Sequence, residues 1–557
     1  MPRAADLAPG SALSRANAQR RLEAQTTVGY NRPLPNVFGY TKHRYSEYDD
    51  EKRRSVKPLV ELEMTQFSAE LRRKPSWWTK CRDETILSKW REEALAQAKL
   101  MKESHIDYVL EELTGYANLR DERSGAEVSC HDGIWQSDTL ISAVLKEQLV
   151  TGVTKLEDVP ESKKGWHPHS NRQVLDLVDP SLYPIVYGRT LSFPEDSSDR
   201  SPAALQLRLK SPEGPVRFRL CDSPLDFFIS KRFQWLPTDF EVSEDGTSAR
   251  SLSYINNIHP QEYGLYKTIE GLISAYIPLF EHVLTDCIQE NYAIPERTYS
   301  SGSYDWNPHS APPNSTDYSD AQKYNEAYVE WRKGCIMSVP HVDEAGYLAG
   351  SLEKRLIEYK LGGRTIQVVV KLTSIHLTPE KPEYTGGLWR VEGMLNEVIV
   401  ASGIYCYDEE NVTESRLAFR TAVSPPHYYE DEDKGCVQTW GMPRGGPCVN
   451  ELGSVLVDKS KPGHRKIVAL FLVDPAVRVP STSVVPPQQQ EWRASAIRAN
   501  PVLKTGFDKL SSEIIDHIHS MAGGTMTREE AEAYRLELMD ERTACVAQNN
   551  EVSIMMP

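Results

Sequence analysis

Two runs of β-branched and apolar residues, Ile366–Leu372 and Val398–Tyr405, lie on either side of a Pro- and Gly-rich connection inside Thr365–Asp408. Such runs suit a pleated, half-buried backbone, and paired with polar residues on one face they predict the wall of a small β-barrel. Between them stands Trp389-Arg390-Val391-Glu392. On a strand, Arg390 and Glu392 point to the same side because successive side chains alternate. That is the spacing of half a metal site, with a guanidinium in one of the two places. A guanidinium cannot bind iron as an imidazole does.

The β-rich character continues to Val479. The last strong strand is Arg465–Asp474, whose unbroken apolar run predicts burial on both faces. The rest of the chain divides by pattern. Residues 1–55 lack periodicity and read as an extended or disordered arm. Residues 56–160 read as a helical N-terminal region, with Asp83 as an N-cap and Ile86, Leu87, Trp90 and Ala94 on one face. Residues 161–500 read as the β-rich core with inserted helices. The longest of these runs from about Gln261 to Cys287, where Pro278 is expected to kink or interrupt it. Residues 501–557 read as a C-terminal helical segment, with Thr527 and Glu530 forming a capping box.

At 557 residues two or three packed units are expected. The net charge of −15 gives no electrostatic reason to seek phosphate backbones, so nucleic acid is not an expected partner. The nine cysteines are scattered, without a C-x-x-C pair, which points to reduced thiols rather than a disulfide framework or a zinc ribbon. The N-terminus has no apolar segment of signal-peptide type and no run reaches the length of a membrane span, so a cytoplasmic location without a membrane partner is expected. Two other pairs have metal-ligand spacing, His167-x-His169 and His341-x-Asp343. Both sit beside proline in loop-like sequence.

Nine collinear stretches carry a family resemblance. They are DETILSKWREEAL (83–95), QVLDLVDPSLYPIVYGR (173–189), FQWLP (233–237), YINNIHP (254–260), VVKLTSIHLTPEKPEY (369–384), NVTESRLAFR (411–420), GGPCVNELGSVL (445–456), PGHRKIVALFLVDP (462–475) and VPPQQ (485–489). Together they resemble a large fungal family known only as a domain of unknown function, over residues 60 to 545. Its members look like non-haem Fe(II)/2-oxoglutarate oxygenases, in which two His and one carboxylate hold iron and leave positions open. The resemblance implies an α+β fold with a double-stranded β-helix (jelly-roll) core, a helical layer before it and a helix after it. It also implies metal ligands at the positions of Arg390, Glu392 and Val398, a distal His in a Q-H-R-V segment after Leu456, and Arg465 as partner of the 2-oxoglutarate carboxylate.

This chain departs from that pattern. Arg390 and Val398 replace His, and Leu456 runs through Val457–Lys461 into Pro462 without the Q-H-R-V segment. That gap would take at least one strand from the core, as a skipped exon would, whereas Arg390 and Val398 are separate substitutions. The resemblance therefore implies a catalytically degenerate oxygenase that binds no cofactor alone and serves a related oxygenase chain in a hetero-oligomer. An Arg390–Glu392 ion pair is expected to replace the lost cation. The alternative is an active Fe(II)/2-oxoglutarate dioxygenase with a non-standard ligand set, drawn from His341 and Asp343 with His376, His427 or His464.

Overall fold

A computed structural model describes residues 57–555, except 130–132, 195–198, 200–203, 206, 211–227, 289–296, 299–305, 308–310, 335, 338, 385, 387–391, 413–418, 423–433, 442–448, 453–462, 500–508, 512–513 and 515–522. The N-terminal arm, the expected strand at Trp389–Val391 and His427 therefore lie outside the described residues.

Helices α1 (Leu59–Arg72), α2 (Glu84–Gln97) and α3 (Glu103–Leu119) form the helical layer. Asp83 caps α2 by accepting from the backbone N–H groups of Thr85 and Ile86. Trp90 and Ala94 of α2 are buried, with Ile86 and Leu87 packed at the edge of the same cluster as Met64, Ile106 and Leu113. A buried ion pair locks this layer. The Arg297 Nε donates to both carboxylate oxygens of Glu112, at 2.9 and 3.0 Å, and its guanidinium also reaches the Tyr116 and Thr65 hydroxyls. Full hydrogen bonding is what makes a buried charge pair tolerable.

The central element is one antiparallel sheet. After α4 (Ala143–Glu157) come β1 (Val174–Val178), β2 (Thr238–Val242), β3 (Ala249–Ser251) and α5 (Tyr263–Cys287). Then follow β4 (Thr365–Leu377), β5 (Ile399–Glu410), β6 (Phe419–Ala422), β7 (Val449–Leu452) and β8 (Gly463–Val473), with α6 (Gln490–Ala499) and α7 (Arg528–Met555) at the end. The sheet order is β5–β8–β4–β2–β3, and β1 pairs with β4 as well. One edge of β4 carries β8, from Val368 opposite Leu472 to Leu377 opposite Gly463. Its other edge is shared, by β2 along Thr365–Val368 and by β1 along Leu372–Ile375. Strands β6 and β7 form a separate pair.

Alternation along the strands makes two cores. Ile366, Val368, Val370 and Leu372 of β4, with Val468, Leu470 and Leu472 of β8, pack against α5 and α4. Val369 and Phe471 point the other way, into a cluster with Trp235, Leu182 and Tyr183 and with Ala531 and Leu538 of α7. Leu470–Val473 are accordingly buried on both faces, whereas Arg465–Ile467 at the start of β8 are half-buried.

Two local expectations change, and a third, the Thr527–Glu530 box, holds. Helix α5 runs through Pro278 without interruption. Its flanking Tyr276, Ile277, Phe280 and Leu284 are all buried in one core, which anchors the helix on both sides of the backbone bond that proline forgoes. Val398 lies before β5 rather than on it, in a left-handed conformation (φ 52°) that ends the turn Leu395–Glu397. Its N–H donates to the Leu395 carbonyl, and its side chain is buried among Phe228, Met394 and Val473. The last helix starts at Arg528, where the Thr527 hydroxyl accepts from the Glu530 N–H and the Glu530 carboxylate accepts from the Thr527 N–H.

The sheet meets α5 at Gly403, where a Cβ would sit 2.6 Å from the Tyr276 Cε1. Gly403→Ala is expected to lower unfolding stability by about 1–3 kcal/mol, read from urea midpoints. Unchanged midpoints would contradict this packing.

Candidate functional site

The polar groups that converge on β1 come from distant parts of the chain. Asp176 lies opposite Thr373 in the ladder, and the Thr373 hydroxyl donates to it at 3.1 Å. The segment before β1 folds back so that the His167 N–H donates to the Val174 carbonyl. This sets the His167 Nδ1 2.6 Å from the Asp176 Oδ2. His169, in a left-handed turn at φ 60°, is exposed, so the H-x-H pair does not share a site. Asp179 follows β1, with one oxygen accepting from the Ser181 N–H.

Helix α7 completes the cluster. Its Arg535 places a terminal nitrogen 2.6 Å from the Asp176 Oδ2 and its Nε 2.8 Å from the Asp179 Oδ2. Asp176, Asp179 and Arg535 are 6, 3 and 3% exposed, so the charges meet away from water. Burial alone would push the Asp176 carboxyl up. The hydrogen bond to His167 and the positive charges of Lys371 and Arg535 outweigh it and hold the group below its ordinary value. His167, Asp176 and Asp179 each bring a ligand atom within 4.8 Å of the others, the one such group of metal-type donors among the described residues. It contains a single imidazole, and the cation that its carboxylates hold is a guanidinium. As built, the cluster ties the C-terminal helix to the sheet.

Beside it, side-chain amides clamp the segment after β1. Asn257 donates to the carbonyls of Asp179 and Leu182, and Asn256 to those of Leu182 and Tyr183. Gln488 donates to the carbonyls of Tyr183 and Pro184, and Gln489 donates to the Asn256 oxygen at 3.1 Å. Three of the sequence stretches, 173–189, 254–260 and 485–489, thus meet at one place.

The positions that the sequence singled out are spread over the molecule. Arg390 lies outside the described residues, so its pairing with Glu392 is not part of the described structure. Glu392 is half-buried in a bend next to Gly393. Val398 is 3% exposed and has no donor atom. His341 and Asp343 are exposed on a turn of the helical layer, where Asp343 accepts from the Ala345 N–H. Arg465 pairs with the Glu409 carboxylate at 2.6 Å, across the β8–β5 ladder. His464 and His376 stand opposite each other on β8 and β4. The His464 Nε2 is 3.0 Å from the Asp408 Oδ2, and Lys466 joins Asp408 to Glu157 of α4. Burial holds His376 below the usual imidazole range. Asp408 is also held low, because its bond to His464 and the Lys466 charge outweigh the effect of burial. The described residues of the alternative ligand set, His341 and Asp343 on one side and His376 and His464 on the other, therefore fall into two separate groups, and no step through iron is derived from them.

Asp176, Asp179 and Arg535 were not singled out by sequence. Asp176 and Asp179 stood inside a quoted motif, but nothing local marks Arg535, which lies 359 residues from Asp176.

Among known proteins, the family model described as "Protein of unknown function (DUF4246)" matches residues 103–457 and 455–496. The model of that family's N-terminal domain, also of unknown function, matches residues 17–93. The two matched ranges meet at 455–457, beside the place where the resemblance implies a Q-H-R-V segment. No curated protein and no solved structure matches the chain.

Arg535→Met would leave two buried carboxylates without their cation and is expected to cost about 3–5 kcal/mol at pH 7. In the native protein the Asp176 carboxyl is held low, so its contribution is present above the unfolded carboxylate pKa and is lost as pH falls through the folded value. In the variant the carboxyls are pushed up, so the deficit should narrow from pH 7 to about pH 4. Urea unfolding of both proteins across that range checks this; a pH-independent deficit would contradict the ion-pair account.

Proposed function

Since the chain belongs to the DUF4246 family of unknown function, we propose that it is a non-haem iron/2-oxoglutarate oxygenase fold whose metal site has lapsed. In this reading it acts by binding, as the non-catalytic partner subunit of a related iron oxygenase in fungal specialised metabolism. The interleaved strand order supports the fold half of the reading. The last strand, β8, lies between β4 and β5, with β6 and β7 paired apart from them, as in a barrel wound from two crossing sheets. Strand β5 ends the sheet among the described residues, which is where a strand deleted after Leu456 would leave an edge. The break in the family match at 455–457 supports the same deletion.

One observation carries the loss of chemistry. At the positions where the family resemblance implies ligands, the sequence has Arg390 and Val398, and Val398 is a buried core residue that offers no donor. Arg465, the expected partner of 2-oxoglutarate, is engaged with Glu409. One remaining carboxylate, Glu392, does not hold Fe(II), which needs imidazoles beside it. A partner chain would supply the iron, and this chain would contribute packing surface. Such a role rests on analogy with oxygenases that act as pairs of related chains, one carrying the iron and one stabilising it.

The purified full-length chain is expected to carry far less than one equivalent of iron and to leave 2-oxoglutarate undecarboxylated. Co-expression with a related chain that keeps the full ligand set should yield a stable complex with oxygenase activity. Arg390→His alone should not restore metal, because the distal ligand segment is still missing. Stoichiometric iron in the isolated chain, by metal analysis, would overturn the reading.

A further inference from the structure

We infer that the outer edge of β5 takes up an extended, basic peptide segment of a partner protein as an added strand. A groove of about 420 Å³ runs beside that edge, a size typical of specific binding sites. Every residue from Ser402 to Cys406 lines it. Successive side chains of a strand point to opposite faces, so a groove that touches all of them lies along the backbone. No described residue of β8 is in its wall, and β8 occupies the other edge of β5. The groove therefore follows the edge with which no described strand pairs.

That edge is regular and undefended. The ladder with β8 shifts register at Ile399/Ala401 and at Cys406/Asp408, but runs unbroken from Ala401 opposite Leu472 to Cys406 opposite Ile467. From Ser402 to Cys406 the amides and carbonyls thus repeat at strand spacing for roughly 13 Å, at about 3.3 Å per residue. Edges that stay unpaired are blunted by Lys, Pro, charge or a bulge. Ser402-Gly403-Ile404-Tyr405-Cys406 has none of these, and Ile404 is 48% exposed. Another peptide backbone offers donors and acceptors at the matching repeat. The walls suit apolar side chains. Tyr276, Leu279 and Phe280 of α5 line the groove together with Leu140 and Ile141. Trp135 is fixed beside them by stacking on His282 at 4.0 Å and by donating to the Asp286 carboxylate.

Charge selects a basic segment. Asp138 is the one charged residue in the described lining; it is exposed and has no ion pair among the described residues. Past Cys406 the strand ends in Asp408, Glu409 and Glu410. Lys466 joins Asp408 and Arg465 joins Glu409, whereas the exposed Glu410 has no ion pair among the described residues. With the paired groups set aside, two carboxylates and no cation remain among these residues. A second copy of this chain would bring the same carboxylates to the edge, so a basic partner is the better match. The groove uses none of the residues assigned to the iron site, so this inference stands or falls apart from the function proposed above.

The test is fluorescence anisotropy of labelled synthetic peptides titrated with the full chain. The probe alternates valine and threonine and carries a lysine at each end. It is expected to bind at least tenfold more tightly than the same peptide with glutamate at each end. Successive amides of a strand face opposite sides, so two further probes are N-methylated on alternate amides, one on each set. At least one of them should lose tenfold or more, because its edge-facing donors are gone. Asp138→Lys, at an exposed site, should leave the thermal melt unchanged, weaken the lysine probe at least fivefold and strengthen the glutamate probe. Leu279→Trp should fill the groove and weaken the lysine probe at least tenfold; if that variant does not fold, the other measurements decide. No binding of the lysine probe, equal binding of the two charge forms, full affinity in both N-methylated probes, or an unchanged affinity in Asp138→Lys overturns the inference. Self-association of the chain with no peptide bound would assign the edge to a second copy and overturn it as well.

Discussion

Strand β4 is hydrogen-bonded along both edges and covered on both faces. Its 13 residues pair with β8 on one side and with β2 and β1 on the other. Residues of one parity enter the α5 core, and Val369 enters the Trp235 core. A strand in that position cannot shift by one residue without sending every buried side chain to the wrong layer. It sets the register of β8, which in turn sets that of β5. The polar groups of both candidate clusters, Thr373 with Asp176 and His376 with His464, take their places from that register.

The second constraint is the attachment of the C-terminal helix. Arg535 joins α7 to Asp176 and Asp179, and Arg542 of the same helix reaches the Glu397 carboxylate at 2.6 Å while lying over the Trp235 ring. Glu397 also accepts from the backbone N–H groups of Met394 and Trp235. The turn that positions Val398 is therefore held by the helix from behind. The place where the family resemblance implies a metal ligand is organised here by arginines and backbone donors. The guanidinium neutralises the buried Glu397 carboxylate and so fixes the turn without any other cation.

Much of the local structure was legible. The Asp83 cap, the Thr527–Glu530 box, the amphipathic α5 and the apolar runs of β4, β5 and β8 each depend on residues within a turn or two of one another. What failed locally failed for a tertiary reason. Pro278 does not interrupt α5, because both flanks are anchored in one core. Val398 leaves the strand pattern because its carbonyl accepts from the Asp474 N–H, a contact invisible in the sequence around it. The His167–Asp176–Asp179–Arg535 cluster was missed altogether. Its signal is a pairing of groups more than 350 positions apart, and only one of its members sat in a metal-like spacing.

By itself the sequence determined the element types and the family, since local spacing settles helix or strand and collinear motifs settle kinship. Only the tertiary structure decided that β8 inserts between β4 and β5, that an arginine from the last helix bridges two buried aspartates, and that Gln489 is left with a buried acceptor. Those outcomes depend on which distant groups must share one buried space, where every charge and every hydrogen-bonding atom needs a partner.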